Sequence, residues 1–136
     1  LDVLGNFASI KAAVKELQSQ GIIISIFIDP DLDQIKAAAE SGAEYIELHT
    51  GSYANSSGSA QRKELNRLIA GAELADSVGL KVNAGHGIDY DNITGILEIP
   101  NLCELNIGHS IIARSIMVGI SNAVREMVDL MRPYNI

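Results

Sequence analysis

Gly21-Ile22-Ile23-Ile24-Ser25-Ile26-Phe27-Ile28-Asp29-Pro30-Asp31 holds the end of one element, the whole of a second and the start of a third. The run from Ile22 to Ile28 is β-branched and almost wholly apolar. That predicts a strand buried on both faces, the habit of parallel strands whose sheet is covered on either side. Gly21 tolerates a left-handed backbone and suits the residue just past a helix C-terminus. Upstream of it, Ile10, Ala13, Val14 and Leu17 recur at helical spacing, so a helix is expected over Ala8 to Gln20. Downstream, Asp29-Pro30-Asp31 stops the strand, and Asp31 or a neighbour is placed to cap a helix over Leu32 to Glu40.

The cycle then repeats. Gly42 precedes a strand at Glu44 to His49, and a small, polar loop from Thr50 to Ser59 leads into a long helix at Ala60 to Ser77. Gly79 precedes a strand at Leu80 to Ala84, which runs into Gly85-His86-Gly87. A helix is expected near Asp91 to Glu98, ending at Pro100. A last strand at Cys103 to Ile107 runs into Gly108-His109, and one or two helices finish the chain. Alternation of this kind means an α/β fold with a parallel sheet and right-handed crossovers. Four such units fit either a small doubly wound sheet or half of a closed (β/α)₈ barrel. Neither the first strand nor the last reads as an edge. The first carries no charge within it, which suits a strand with neighbours on both sides.

Composition narrows the classes. The chain has 136 residues, against about 250 for a whole (β/α)₈ barrel. Its 47% hydrophobic content is that of a folded globular chain. The net charge of −7 argues against nucleic acid or an anionic lipid surface as partner. A small phosphorylated substrate stays open, because backbone amides hold phosphate without a basic surface. No apolar run approaches the roughly 18 residues of a membrane span. Cys103 is the only cysteine, so no intrachain disulfide can form and a reducing, cytoplasmic setting fits. The chain opens at Leu1 with no methionine and no signal-like segment. Either the numbering starts at a processed end or the chain is a fragment, and the rest of the sequence favours a fragment.

In parallel α/β folds the chemistry gathers at the C-terminal ends of the strands. All three histidines, His49, His86 and His109, fall at such ends. Glu47 and His49 are two residues apart and share a face, while Ile46 and Leu48 face the other way. With the apolar pair against helices, Glu47 and His49 point into the barrel or crevice. An inward carboxylate is costly unless it is paired or used; the structural alternative is an ion pair with Lys81 on the next strand. His86 lies between two glycines that permit close approach of a ligand, and an imidazole suits acid/base work near neutral pH. The alternative is a turn with an incidental histidine. Gly108-His109 opens the last helical stretch, where free N–H groups and the helix dipole favour an anion; the alternative is a plain tight turn. Met117, Met127 and Met131 read as helix packing. No Cys/His cluster has zinc-ligand spacing, so no metal is expected.

The strand-end strings together resemble one family. Ile26-Phe27-Ile28-Asp29, Tyr45-Ile46-Glu47-Leu48-His49-Thr50-Gly51, Lys81-Val82-Asn83-Ala84-Gly85-His86-Gly87 and Glu104-Leu105-Asn106-Ile107-Gly108-His109-Ser110-Ile111-Ile112 look like consecutive strands of the pyridoxine 5′-phosphate synthase family. Their order and spacing agree along essentially the whole chain. The resemblance implies a (β/α)₈ (TIM) barrel with extra helices, of which these are strands five to eight. It implies condensation of 3-amino-2-oxopropyl phosphate with 1-deoxy-D-xylulose 5-phosphate to pyridoxine 5′-phosphate, phosphate and water, a ring-closing transferase step of vitamin B6 synthesis. It makes His86 the proton donor and Glu47 the transition-state stabiliser, with Gly87, Gly108 and His109 binding the aminoketone phosphate. It also implies a cytoplasmic homo-oligomer, commonly an octamer, with no organic cofactor or obligatory metal. The family's other catalytic histidine and glutamate, and the arginine for the second phosphate, belong to the first half. Two rival readings are another phosphate-binding barrel enzyme and a non-catalytic phosphometabolite-binding domain. An aldolase would need a Schiff-base lysine, and Lys81 sits at the wrong end of its strand.

Overall fold

The computed structural model describes residues 1–132. Its elements, in chain order, are α1 (Phe7–Ser19), β1 (Ser25–Ile28), α2 (Leu32–Ser41), β2 (Tyr45–His49), α3 (Gly51–Ala54), α4 (Gly58–Ser77), β3 (Lys81–Gly85), α5 (Ile93–Ile96), β4 (Leu102–Asn106), α6 (His109–Val118) and α7 (Ile120–Met131). The strands form one four-stranded sheet in the order β1-β2-β3-β4. Every pairing is parallel. Sequential parallel neighbours of this kind require a crossover after each strand, and the alternating pattern supplies one each time.

Local chemistry sets the element ends. Gly21, at φ 77°, lies just past α1, and its N–H donates to the Gln18 carbonyl. The Asp31 side chain accepts from the N–H groups of Asp33 and Gln34, so it caps α2 as expected. Gly42, at φ 94°, ends the same helix in the left-handed region.

One face of the sheet presents Ile26, Ile28, Ile46, Leu48, Val82 and Ala84 to the helices, all buried. Ile35 of α2 and Leu65, Leu68, Ala72 and Ala75 of α4 are buried in the same core. Removing each isoleucine, leucine or valine side chain among these from water contributes about 1.5–3 kcal/mol. The opposite face carries Phe27, Tyr45, Glu47, His49, Lys81, Asn83, Glu104 and Asn106. Register aligns Phe27 with Glu47, Glu47 with Asn83, and Asn83 with Glu104. A polar face opposite an apolar one makes the two sides of this sheet chemically unequal.

Several expectations are corrected. The Ile22–Ile28 run is not one strand buried on both faces. Only Ser25–Ile28 is strand, its burial alternates, Ile23 is 68% exposed, and Phe27 is exposed on the polar face. Hydrophobicity there marks a need for cover that residues 1–132 do not meet. Within this sheet β1 and β4 are its two edges, although neither reads as one. The loop expected at Thr50 to Ser59 contains the helical turn α3, whose Tyr53 is buried, and α4 begins at Gly58. The helix expected at Asp91 to Glu98 shrinks to α5. Of the three methionines, Met127 packs in the core, but Met117 is 80% exposed.

Candidate active site

The strand ends meet in a cleft of about 620 Å³. Glu47, His86, Gly87, Gly108 and His109 all line it, together with Asn106. The alternation argument for Glu47 holds: Ile46 and Leu48 are fully buried on the helix side, and Glu47 faces the cleft. The ion pair with Lys81 does not form. Parallel register sets Tyr45, not Glu47, opposite Lys81, and Lys81 Nζ donates to the Tyr45 hydroxyl at 3.2 Å. That bond holds the Lys81 ammonium above its usual 10.5. Glu47 instead accepts from Asn106 Nδ2 at 2.9 Å. A Cβ on Gly85 would collide with Glu47 Oε1, so the glycine makes the room in which that carboxylate lies.

The loop that carries His86 and Gly87 is tied down on all sides. His86 has φ 81° and Gly87 φ 79°, so a non-glycine residue is held in the left-handed region next to a glycine that accepts it freely. Thr50, fully buried, places its hydroxyl 2.8 Å from the Gly85 carbonyl and 2.6 Å from that of His86. Beyond Gly87, Asn92 Nδ2 donates to the Gly87 carbonyl, and Asp89 Oδ1 accepts from the N–H groups of Asp91 and Asn92. The Tyr53 hydroxyl donates to the Asn92 carbonyl at 2.8 Å. Burial, then the carboxylates of Glu98 and Asp89, push that phenol above its usual 10.0, so it stays a donor.

Gly108 is the N-cap of α6, and His109 is its first residue. The first free N–H groups of that helix therefore open beside the cleft that Gly108, His109 and Ser110 line. Ser110 Oγ donates to the Ile88 carbonyl at 2.8 Å, which binds this turn to the loop after β3. A Cβ on Gly108 would meet nothing within 4 Å, whereas one on Gly87 would lie 2.7 Å from Ala54 Cβ. The two glycines thus differ: Gly87 is required by its own backbone and neighbours, and Gly108 leaves open space.

Sequence reasoning did not foresee the Asn106–Glu47 contact, although Asn106 stands at a strand end. The expectation that His49 points into the crevice with Glu47 is corrected: His49 is outside the cleft lining, with Nδ1 2.8 Å from Asp29 Oδ1, because that contact draws the ring toward the end of β1. Asn83 Oδ1 is buried without a hydrogen-bond partner among the described residues. Among those residues no three His, Cys, Asp or Glu side chains gather at metal-binding range, and no helix is long and apolar enough to cross a membrane.

Comparison with known proteins bears on this arrangement. Residues 1–133 match the family described as pyridoxal phosphate biosynthesis protein PdxJ. A pyridoxine 5′-phosphate synthase from Geotalea daltonii is 50% identical over 97% of this chain and 56% of its own length. One from Magnetococcus marinus is 52% identical over 97% of this chain and 55% of its own, and one from Synechocystis is 50% identical over 93% and 53%. The chain spans about half the length of the curated relatives it matches. The crystal structure of the Amycolatopsis orientalis BexX/CysO complex superposes with a TM-score of 0.55, covering 92% of this chain and 51% of the other. At 17% identity that likeness is one of fold alone. On the family match and the level of identity together, this chain belongs to the PdxJ family of pyridoxal phosphate biosynthesis proteins.

Proposed function

We propose that residues 1–136 are the C-terminal half of a single (β/α)₈ barrel, strands five to eight with their helices, and that with the N-terminal half they form a pyridoxine 5′-phosphate synthase. The reaction is condensation of 3-amino-2-oxopropyl phosphate with 1-deoxy-D-xylulose 5-phosphate, giving pyridoxine 5′-phosphate, phosphate and water. The observation that carries this reading is the convergence of an imidazole, a carboxylate and a helix-terminal turn on one cleft at the strand ends. Ring closure needs proton transfers as carbonyl oxygens leave as water, and a charge to offset the cationic character that develops. His86 is the proton donor, lining the cleft on a turn whose flanking glycines let Glu47 and Ala54 pack close beside it. Glu47, fixed by Asn106, is the stabilising carboxylate. Gly87, Gly108 and His109 bind the aminoketone phosphate, using backbone N–H groups where a helix dipole favours an anion. The remaining acid/base groups and the second phosphate site belong to the other half. The assembled enzyme is a cytoplasmic homo-oligomer, an octamer by family resemblance, that works without organic cofactor or obligatory metal.

Lys81 weighs against the aldolase reading. A Schiff-base lysine needs its ammonium destabilised, and this one is stabilised by Tyr45.

The test is steady-state formation of pyridoxine 5′-phosphate by protein carrying both halves. His86→Asn is expected to keep fold and phosphate binding and to lower turnover by roughly 10² to 10⁴, the range for loss of a general acid. Glu47→Gln keeps shape, loses charge, and lowers turnover more than substrate affinity. Near-wild-type turnover in a well-folded His86→Asn protein would remove His86 from the mechanism.

A further inference from the structure

Three consecutive strand ends carry Asp29, His49 and His86, and the side chains touch in that order. Asp29 Oδ1 lies 2.8 Å from His49 Nδ1. A carboxylate accepts and does not donate, so this contact places the His49 proton on Nδ1 and fixes the ring plane. The His49 and His86 rings then meet edge to face, with centroids 4.8 Å apart at 65°. On its other side His49 meets the Phe27 ring, 5.2 Å away at 68°. His86 and Phe27 line the cleft, while His49 stands behind them.

The backbone around the contact leaves it little freedom. A Cβ on Gly51 would lie 2.5 Å from His49 Nε2 and 3.1 Å from His86 Cδ2, so the two rings fill the space a side chain would take. His86 sits at φ 81°, a conformation costing a non-glycine residue about 1–3 kcal/mol unless its surroundings enforce it. Thr50, between His49 and Gly51 in sequence, supplies that enforcement through the carbonyls of Gly85 and His86. The end of β2 therefore holds the backbone of His86 with one residue and its ring with another.

We infer that Asp29 and His49 are a positioning pair for His86: Asp29 orients His49, and His49 holds the His86 ring at the angle from which it meets the substrate. This rests on the reading of His86 as proton donor and adds residues that do not themselves reach substrate. Acting through orientation, they matter to turnover more than to binding, because a displacement of about 1 Å at a reacting group costs up to about 10²-fold in rate.

The experiment compares Asp29→Ala, Asp29→Asn, His49→Phe, the double variant Asp29→Ala/His49→Phe and His86→Asn in protein carrying both halves, with thermal melts as folding controls. Asp29 is largely exposed, so its removal leaves the core intact. Asp29→Ala and His49→Phe are expected to lower kcat about 10- to 100-fold, with KM for 3-amino-2-oxopropyl phosphate moving less than about twofold. The double variant is expected to be no slower than the slower single, since both changes break one relay of contacts. Asp29→Asn, whose Oδ1 still accepts from Nδ1–H, is expected to stay within about threefold of wild type, which a need for charge alone would not allow. Wild-type kcat in Asp29→Ala and His49→Phe beside an inactive His86→Asn would overturn the positioning pair and leave His86 standing. An active His86→Asn would overturn both. A parallel rise in KM at constant kcat would make the pair part of binding and overturn the inference as well.

Discussion

The centre of the sheet and its β4–α6 flank use similar residues to opposite ends. Strand β3 is buried at every position but the first, while β4 has no buried residue. Helix α4 is rich in charge, yet it buries Leu65, Leu68, Gly71, Ala72 and Ala75. Helix α6 carries Ile111, Ile112, Ile116, Met117 and Val118 in ten residues and buries none of them. Ile116 and Met117 are about 80% exposed. The other edge behaves likewise: Leu1, Ile22, Ile23 and Phe27 stand exposed beside β1 and α1. An apolar side chain that stays wet contributes nothing to its own fold, and contiguous exposed apolar patches mark surfaces meant for contact. The difference is that the flanks expose apolar surface that residues 1–132 leave uncovered, and the half-barrel proposed above would bury it by closing the sheet so that no edge remains.

Paired truncations test that contrast most sharply. In protein carrying both halves, Leu48→Ala is expected to cost about 2–5 kcal/mol, the range for emptying a buried site. Ile116→Ala is expected to cost about 1.5–3 kcal/mol there, the worth of a covered isoleucine. If α6 faces water in the complete protein, Ile116→Ala will instead fall within about 0.5 kcal/mol. Denaturant unfolding of the two variants beside wild type separates these outcomes, and the second would break the comparison.

The glycines after β3 and β4 give a second contrast. Gly87→Ala is expected to destabilise by about 1–3 kcal/mol, because φ 79° and the Ala54 methyl both oppose a side chain. The Cβ of Gly108→Val meets nothing within 4 Å, and the change should leave stability within about 0.5 kcal/mol. On the proposal that this turn binds the anion, affinity for 3-amino-2-oxopropyl phosphate is expected to fall at least about tenfold, or 1.4 kcal/mol. Unchanged affinity on titration would make the turn at Gly108 merely structural.

The smallest expected effect concerns how the β1 edge is tied to the centre. Glu44, just before β2, accepts from the Ile24 N–H at 2.9 Å and from Gln18 Nε2 at 2.8 Å. The backbone bond first, and Gln18 second, hold its carboxyl below the usual 4.5. A folded value below the unfolded one means that the unfolded chain binds the proton more readily. The stabilisation is therefore complete above pH 4.5 and is lost as pH falls through the folded value. Glu44→Gln should show a shallower loss of stability on acidification than wild type, and an identical acid profile would detach Glu44 from that loss.

Much of the site was legible because its logic is local. Glu47 reads as inward because strand side chains alternate every two residues and Ile46 and Leu48 claim the other face. His86 reads as special because its two glycine neighbours are adjacent in sequence, and Asp31 reads as a cap because capping spans a few residues. Strand–helix alternation likewise determined an α/β fold with a parallel sheet, since only crossovers connect parallel neighbours so. What only the tertiary structure decided is pairing at a distance. Register sets Lys81 opposite Tyr45 and frees Glu47 for Asn106, 59 residues away. The meeting of Asp29, His49 and His86 likewise needs three strand ends side by side, and no spacing along the chain encodes it. Nor does hydrophobicity say what covers a residue. The isoleucines of Ile22–Ile28 and of α6 state a need for burial, and only packing assigns each one to the core or to a surface left open.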